Sequence, residues 1–293
     1  MKTSRTILRN DILSVAIDLH GAELKSILRQ ESGNEYLWQA DPTFWGRSAP
    51  ILFPIVGMLR DNRYMLDGMS YSLPQHGFAR DSTFERVSCT DRAASFVLQE
   101  SETTRESYPY RFRLEASYAV ADERIEVAYT VLNTDTKPML FSLGSHPAFK
   151  IPFAGGTLED YFIEFEHQEV AQARLPEDGL LSDQWVDPFE RGRIIRLSRT
   201  LFDRGAFIFK DLKSPSISIK NTLNSQQIRV TTGSAPYLGI WSKPGGAPFV
   251  CLEPWFGVAD SNTSDHDFCH KEGIITLAPD TEWSGGYTIQ IDQ

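Results

Sequence analysis

Apolar and polar residues alternate with a period of two along most of this 293-residue chain. Successive side chains of a β-strand point to opposite faces, so this alternation predicts strands with one buried face. The longest runs are DILSVAIDL (11–19), FRLEASYAV (112–120) and RIEVAYTVLN (124–133). Clusters of Gly, Pro, Asn, Asp and Ser separate the runs, and sustained helical periodicity is scarce. We therefore predict an all-β fold.

The number of predicted strands is too large for one sandwich of immunoglobulin size. Hydrophobic residues make up 41% of the chain, which is enough for a sizeable core. No linker, low-complexity segment or internal repeat divides the sequence, so we predict one large sandwich domain over residues 1–293. Two segments are ambiguous: residues 20–30 fit a helical turn or a strand, and residues 188–192 fit a short helix or a turn.

The charge and cysteine content exclude several kinds of partner and location. The formal net charge is −10, which does not favour nucleic-acid binding. The three cysteines are widely spaced and lack zinc or CxxC spacing, as expected of free thiols in a reducing compartment. The amino-terminal segment has no signal-peptide pattern, and no apolar run reaches the ~20 residues that span a bilayer. We expect a cytoplasmic protein that binds neither nucleic acid nor membrane.

The segment YMLDGMSYSLPQHGFAR (64–80) places a histidine just after a predicted hairpin. Runs in which apolar and polar residues alternate flank Asp67-Gly68, a dipeptide typical of two-residue hairpin turns. His76 follows the second strand, and Gly77 beside it permits another group to approach closely. His76 is therefore a candidate functional residue that another group can approach closely, whereas a capped turn is the structural alternative.

Two more polar side chains stand at predicted strand ends among apolar residues. His146 follows the run MLFSLG and precedes Pro147, and Glu253 follows the buried run FVCL. Burial disfavours the charged form of a carboxyl group and raises its pKa toward the range of a general base. A histidine and a glutamate in one pocket form an acid/base pair, although each residue alone also fits a structural role.

Other chemistries lack their motifs. The chain has no GxSxG, HExxH, GxGxxG or GxxxxGK[ST] pattern, so these hydrolase, metalloprotease and phosphate-binding sites are not indicated. The segment HDFCH (266–270) contains two histidines and a cysteine, but it lies in a polar stretch without other clustered ligands. We expect no metal and no cofactor.

Five segments of the chain resemble the aldose 1-epimerase (galactose mutarotase) family, in its short bacterial branch. They occur in the family's order along nearly the whole chain: PILFPIVGMLRDNRYMLDGMSYSLPQHGFARDSTFE (50–85), LGSHPAFKIP (143–152), LFDRGAFIFKDLKSPSISI (201–219), YLGIWSKPGGAPFVCLEPWFGVADS (237–261) and LAPDTEWSGGYTI (278–289). The resemblance implies a large antiparallel β-supersandwich and an open cleft that binds an aldohexose. It also implies an isomerase that interconverts the α and β anomers without a cofactor.

The resemblance assigns the acid and base as well. It implies that Glu253 is the general base, that His146 is the general acid and that His76 holds the sugar near its ring oxygen. His76 would then lie at the cleft, with Gly77 close to the flat sugar ring. Base and acid would take a proton from the C1 hydroxyl and give one to the ring oxygen, which opens the ring.

Substrate contacts follow from the same resemblance and from the neighbouring residues. Arg60 is similar to the family's substrate-binding arginine, although Arg63 lies close enough in sequence to take its place. Trp255 and Phe149 could provide apolar walls for a sugar face, and core packing is an equally good account of both.

One position departs from the family pattern. Where the branch has LFxxDALIF, this chain has LFDRGAFIF (201–209), so the family's sugar-binding aspartate falls on Gly205. Asp203 is the remaining candidate, but two residues along a strand displace a side chain by ~6.5 Å. The departure affects a substrate contact and leaves Glu253 and His146 unchanged.

Two alternative functions remain open at this stage. A hexose-6-phosphate 1-epimerase would need basic residues at the phosphate, and Arg60, Arg63 and Arg80 could supply them. A sugar-binding protein that has lost turnover would be consistent with Gly205.

Overall fold

The structure, a computed structural model, describes residues 5–292 of the chain. Numbered along the chain, its strands are β1 (Arg5–Arg9), β2 (Leu13–Asp18), β3 (Leu24–Arg29), β4 (Ile51–Leu52), β5 (Arg63–Leu66), β6 (Met69–Ser72), β7 (Glu85–Cys89), β8 (Ala93–Gln99), β9 (Phe112–Ala121), β10 (Arg124–Asn133), β11 (Met139–Phe141), β12 (Leu143–Ser145), β13 (Ala148–Lys150), β14 (Tyr161–Phe165), β15 (Ala173–Glu177), β16 (Leu180–Val186), β17 (Ile194–Arg196), β18 (Phe207–Lys210), β19 (Ser216–Asn221), β20 (Gln227–Thr231), β21 (Tyr237–Trp241), β22 (Phe249–Phe256), β23 (Ile275–Leu277) and β24 (Glu282–Asp292). One helix, α1 (Glu102–Ser107), and four 3-10 turns, Arg60–Asn62, Ala79–Asp81, Leu158–Asp160 and Phe268–His270, complete the described elements.

Two large sheets dominate the fold. One has nine strands in the order β17-β14-β19-β20-β24-β10-β9-β8-β7. The other has eight, ordered β16-β15-β18-β21-β22-β12-β4, with β13 also paired to β22. Each pairing between these strands is antiparallel. The predicted all-β class and antiparallel supersandwich are therefore confirmed.

The main core lies on the inner faces of the two large sheets. Along β9 every second residue from Phe112 to Val120 is buried, as the period-two pattern predicts. Val250 and Leu252 of β22 belong to the same apolar cluster as these residues. The other face of β22 carries Glu253, so a single strand supplies both the core and a polar site.

Each ambiguous segment adopts one of its two expected alternatives: residues 20–30 contain a strand, β3, and residues 188–192 lead into a turn and contain no helix. Two other local assignments differ from the sequence-based expectations. Helix α1 was not predicted; the side chain of Ser101 caps it by accepting a hydrogen bond from the Thr104 N–H. Strand β22 continues past Glu253 to Phe256, so Glu253 lies within the strand and not at its end. No helix of the described residues is long and apolar enough to cross a membrane.

The hairpin before His76 is confirmed, but the reason for Gly77 is different from the expected one. Strands β5 and β6 pair around Asp67 and Gly68, which both have positive φ. Gly77 has φ +67°, and a Cβ on it would lie 2.3 Å from the carbonyl oxygen of Phe53. The glycine thus permits close approach of the protein's own backbone, and it does not line the ligand cavity.

We predict that Gly77→Ala destabilises the fold much more than Gly68→Ala. Both positions have positive φ, which costs alanine about 1–2 kcal/mol, but no atom lies within 4 Å of a Cβ at Gly68. The contact with Phe53 should raise the loss at Gly77 to roughly 3 kcal/mol or more. Chemical denaturation of the two variants would measure the difference, and equal losses would contradict the steric account.

Candidate active site

A cavity of about 320 Å³ opens on the face of the eight-stranded sheet that points away from the main core. This volume is in the range of small-molecule sites. Its lining residues are Trp45, Gly57, Gln75, His76, Arg80, His146, Pro176, Gly179, Gly205, Ala206, Ile208, Trp241, Glu253, Trp255 and Ala259. The structure therefore brings together four of the predicted site residues: His76, His146, Glu253 and Trp255.

The innermost feature of the cavity is a contact between His146 and Glu253. The Nε2 atom of His146 lies 3.2 Å from Oε2 of Glu253, and the side chains are only 10% and 1% exposed. The two atoms are close but not aligned as a hydrogen bond, and Oε2 has no hydrogen-bond partner among the described residues. A buried carboxyl oxygen without a partner can still bind a ligand hydroxyl.

Backbone pairing fixes Glu253, whereas aromatic packing holds His146. Glu253 lies in β22 and pairs with Gly239 of the neighbouring strand β21. The His146 ring stacks on Trp45, with 4.7 Å between ring centroids and 28° between planes. The edge of Trp241 packs against the same imidazole, with centroids 5.6 Å apart. The two indoles restrict the imidazole to an orientation that faces Glu253.

His76 is held by Gly57 through two hydrogen bonds. The His76 N–H donates to the carbonyl oxygen of Gly57 at 2.8 Å. The Gly57 N–H donates to Nδ1 of His76 at 3.0 Å. Because Nδ1 accepts a hydrogen bond, the neutral imidazole carries its hydrogen on Nε2. His76 can therefore donate a hydrogen bond to a bound ligand from Nε2. Its φ of +67° is uncommon for a residue other than glycine.

Burial controls the protonation of the site. It raises the pKa of Glu253 well above its ordinary value, and the nearby indole N–H of Trp255 offsets part of that effect. Burial also lowers the pKa of His146, and the positive charges of Arg80 and Arg47 lower it further. The pKa of His76 is lowered well below 6.5, mainly by burial. Burial therefore favours the neutral forms of Glu253, His146 and His76.

Trp255 lies in a slot that two glycines on the neighbouring strands make possible. A Cβ on Gly144 of β12 would lie 2.7 Å from the indole, and a Cβ on Gly239 of β21 would lie 2.6 Å from it. The indole Nε1 is buried and has no hydrogen-bond partner that meets distance and angle criteria in the described residues. Trp255 can thus present both an apolar face and a donor to the cavity.

The arginine in the cavity is Arg80, and the predicted Arg60 lies elsewhere. The Arg60 guanidinium donates to the Ser264 carbonyl at 2.6 Å and does not line the cavity. Arg63 lies 3.4 Å from His266 on the surface. The Arg80 side chain is 16% exposed, and its Nε, which has no hydrogen-bond partner among the described residues, lies 3.6 Å from Asp81.

Two other predicted contacts also lie away from the cavity. Phe149 is fully buried in the main core, so core packing is the account that the structure supports. Asp203 is exposed in a turn and does not line the cavity. Gly205 does line it, with φ +99°, at the position of the family aspartate. Among the described lining residues, Glu253 is therefore the only carboxylate.

The possible metal ligands are not those of residues 266–270. In this segment His270 contacts Asp265 at 2.8 Å, and His266 lies 3.4 Å from Asp61. Among the described residues, one group of three possible ligands is close together: His146, Cys251 and Glu253.

Two lining residues had no clear signal in the sequence. Trp241 occupies an ordinary strand pattern, and Trp45 stands in the polar segment DPTFWGR (41–47). The sequence indicated Arg80 only as one of three arginines for a phosphate, and not as a residue that lines a sugar cavity. Tryptophans are most often core residues, so their number alone does not locate a site.

The supersandwich is the fold of galactose mutarotase-like proteins. The sequence model described as Aldose 1-epimerase matches residues 5–267, and the chain belongs to this family.

Individual relatives match this chain over nearly its full length. The chain is 34% identical to Protein LacX of Lactococcus lactis subsp. lactis, over 97% of this chain and 98% of that protein. A crystal structure of a galactose mutarotase related enzyme from Lactobacillus acidophilus superposes with a TM-score of 0.93 at 34% identity, covering 99% of this chain and 97% of that one. The crystal structure of a galactose mutarotase-like protein from Lactobacillus casei superposes with a TM-score of 0.92 at 30% identity, covering 98% of this chain and 100% of that one.

We predict that the pKa values of the cavity histidines lie below 6.5 and that the pKa of a surface histidine lies above it. Contact with Asp265 raises the pKa of the exposed His270 above 6.5, whereas burial lowers those of His146 and His76 below it. As the pH falls, His270 should become protonated first, and the cavity imidazoles should stay neutral at pH 6.5. Nitrogen-15 NMR of the imidazoles, assigned with His→Asn variants, would measure this, and titration of His146 together with His270 would contradict it.

Proposed function

We propose that this protein is an aldose 1-epimerase that interconverts the α and β anomers of a free aldohexose. The observation that carries the proposal is the buried contact of 3.2 Å between His146 and Glu253 at the cavity floor. Ring opening needs one group that takes a proton from O1 and one that gives a proton to the ring oxygen, and this pair supplies both. Family membership supports the same reaction.

The pair needs only one proton between its two members. Burial raises the pKa of Glu253 and lowers that of His146, which favours the proton on the carboxyl group at rest. A small rotation of either side chain would align this 3.2 Å contact, and transfer of the proton across it creates a carboxylate and an imidazolium, the charge states that the reaction uses. Stacking on Trp45 stabilises the imidazolium through the aromatic face.

The proposed steps conserve this proton. The Glu253 carboxylate takes the proton from the C1 hydroxyl while the His146 imidazolium gives its proton to the ring oxygen. The C1–O5 bond breaks, C1 becomes an aldehyde, and rotation about C1–C2 presents its other face. Reclosure reverses both transfers, which yields the other anomer and restores the pair.

The remaining lining residues fit a sugar. His76 donates from Nε2 to a sugar oxygen, because Gly57 occupies its Nδ1. Trp45, Trp241 and Trp255 provide flat apolar walls of the kind on which the CH face of a pyranose packs. A cytoplasmic location remains a prediction.

A phosphorylated hexose is the second candidate, and Arg80 is the observation that favours it. Its partly buried guanidinium lines the cavity and its Nε has no hydrogen-bond partner among the described residues, so it could bind a phosphate oxygen. The first candidate is stronger because Asp81 lies beside Arg80, and the other two arginines considered for a phosphate, Arg60 and Arg63, lie outside the cavity.

We predict that Glu253→Gln and His146→Asn each reduce kcat/KM for mutarotation by about 10²–10⁴-fold, because each removes one proton-transfer group. Polarimetry of freshly dissolved α-glucose and α-galactose, corrected for the buffer rate, would measure this. Glu282→Gln and His270→Asn, at exposed positions, are the matched controls and should retain the wild-type rate.

Two outcomes would contradict the proposal. Wild-type protein that only matches the buffer rate with both sugars excludes mutarotation of these hexoses, and hexose 6-phosphates would be tested next. The wild-type protein could also show no turnover of the free hexoses or of the hexose 6-phosphates. If it nevertheless bound sugar with an affinity that Glu253→Gln does not change, it would be a sugar-binding protein.

We also predict that Arg80→Ala raises KM by roughly tenfold and that Arg60→Ala leaves it nearly unchanged, since a charged hydrogen bond contributes about 1.5–3 kcal/mol. Steady-state kinetics with glucose and with glucose 6-phosphate would separate the two substrates. An effect of Arg80→Ala confined to glucose 6-phosphate would favour the phosphorylated substrate, and an effect of Arg60→Ala alone would contradict the observed placement.

A further inference from the structure

The floor of the cavity contains three different metal-binding side chains that meet at one point. An imidazole nitrogen of His146, Sγ of Cys251 and a carboxylate oxygen of Glu253 all lie within 4.8 Å of one another. The residues are 8%, 0% and 1% exposed, so the three atoms are nearly removed from solvent. The reaction proposed above uses the first and third of these residues and has no role for the cysteine.

The backbone places these ligands firmly. Cys251 and Glu253 are two residues apart on β22, so their side chains leave the same face of the strand. Strands β13 and β21 pair with β22 at Cys251, which fixes the strand on both sides. His146 reaches the group from the residue just after β12, held by Trp45 and Trp241.

The separations suit a tetrahedral ion. Bonds of ~2.0–2.3 Å to nitrogen, oxygen and sulfur place tetrahedral ligands ~3.3–3.8 Å apart. His146 and Glu253 are already 3.2 Å apart and all three ligand atoms lie within 4.8 Å of one another, so side-chain shifts of up to about 1 Å would complete the set. The cavity side of the group leaves room for water as a fourth ligand, because His146 and Glu253 line the cavity and Cys251 lies behind them.

The donor set also indicates which ions fit. A thiolate with an imidazole and a carboxylate favours borderline-soft ions such as Zn²⁺ over Mg²⁺ or Ca²⁺, which prefer oxygen ligands. Thiolate and carboxylate together balance the two positive charges of the ion. Coordination would release the protons of the thiol and the carboxyl group to solvent, without any oxidation.

We propose that Zn²⁺ or a similar thiophilic divalent cation binds to His146, Cys251 and Glu253 and inhibits the protein. The bound ion occupies the lone pairs that proton transfer requires, so metal and turnover exclude each other. The inhibition rests on the proposed function, whereas the binding does not. Cys251 is the residue that distinguishes this site from the catalytic pair itself.

Cobalt binding tests the site without any activity measurement. The background is the Cys89→Ser/Cys269→Ser variant, which lacks both exposed thiols. Titration with Co²⁺ should give one equivalent with a thiolate-to-cobalt charge-transfer band and the intense visible bands of tetrahedral Co²⁺, both abolished by Zn²⁺ and unaffected by Mg²⁺. Adding Cys251→Ser should remove the charge-transfer band and weaken Zn²⁺ binding at least about tenfold in equilibrium dialysis.

The controls separate this site from the surface and from misfolding. Cys251→Ala serves as a second variant, and thermal unfolding shows whether each variant is folded. No thiolate band in the background protein, or a band that persists after Cys251→Ser, overturns the proposal. So does a band in the wild type that disappears only with Cys269→Ser, because it would place the metal at residues 266–270.

Polarimetry then connects binding to function. Zn²⁺ should inhibit mutarotation by the background protein, and Cys251→Ala should keep its activity with at least about tenfold lower sensitivity. Cobalt binding without any epimerase activity would contradict the proposed function alone. Epimerase activity without a thiolate–cobalt band would contradict this inference alone.

Discussion

The site depends on strand β22, which is paired on both sides and buried along its whole length. Its side chains alternate between two environments. Val250 and Leu252 pack in the main core, whereas Cys251 and Glu253 face the cavity side. The interactions that stabilise the core therefore also set the position of the carboxyl group, with the precision of a paired strand and not of a loop.

Burial gives this carboxyl group its chemistry. A glutamate and a histidine in water would both be charged near pH 6, but the low-dielectric cavity disfavours both charges. In the proposed function, one proton shared by Glu253 and His146, which lie 3.2 Å apart, is enough for the pair. Trp45 and Trp241 exclude water from the imidazole and orient it, so the aromatic residues act on the protonation state as well as on the shape of the cavity.

Much of the architecture could be predicted from the sequence, and the errors have identifiable causes. Alternation predicted strands such as β9 and β10 because each has one buried face. It did not place the end of β22, because a strand buried on both faces has no alternation to follow. It also did not predict helix α1, whose six residues are too few for a periodic signal. Gly77 was correctly recognised as a position of close approach, but the approaching group is the backbone of Phe53.

By itself the sequence determined the all-β class, the family and the residue types of an acid/base pair, because strand periodicity and motifs are local patterns. Only the tertiary structure decided which side chains meet. Arg80 lines the cavity and Arg60 does not, although both belong to the same matched segment. Trp45 stacks on His146, although the two residues are about one hundred positions apart in the sequence. These contacts depend on how antiparallel strands from distant parts of the chain pair, and local sequence spacing does not determine that pairing.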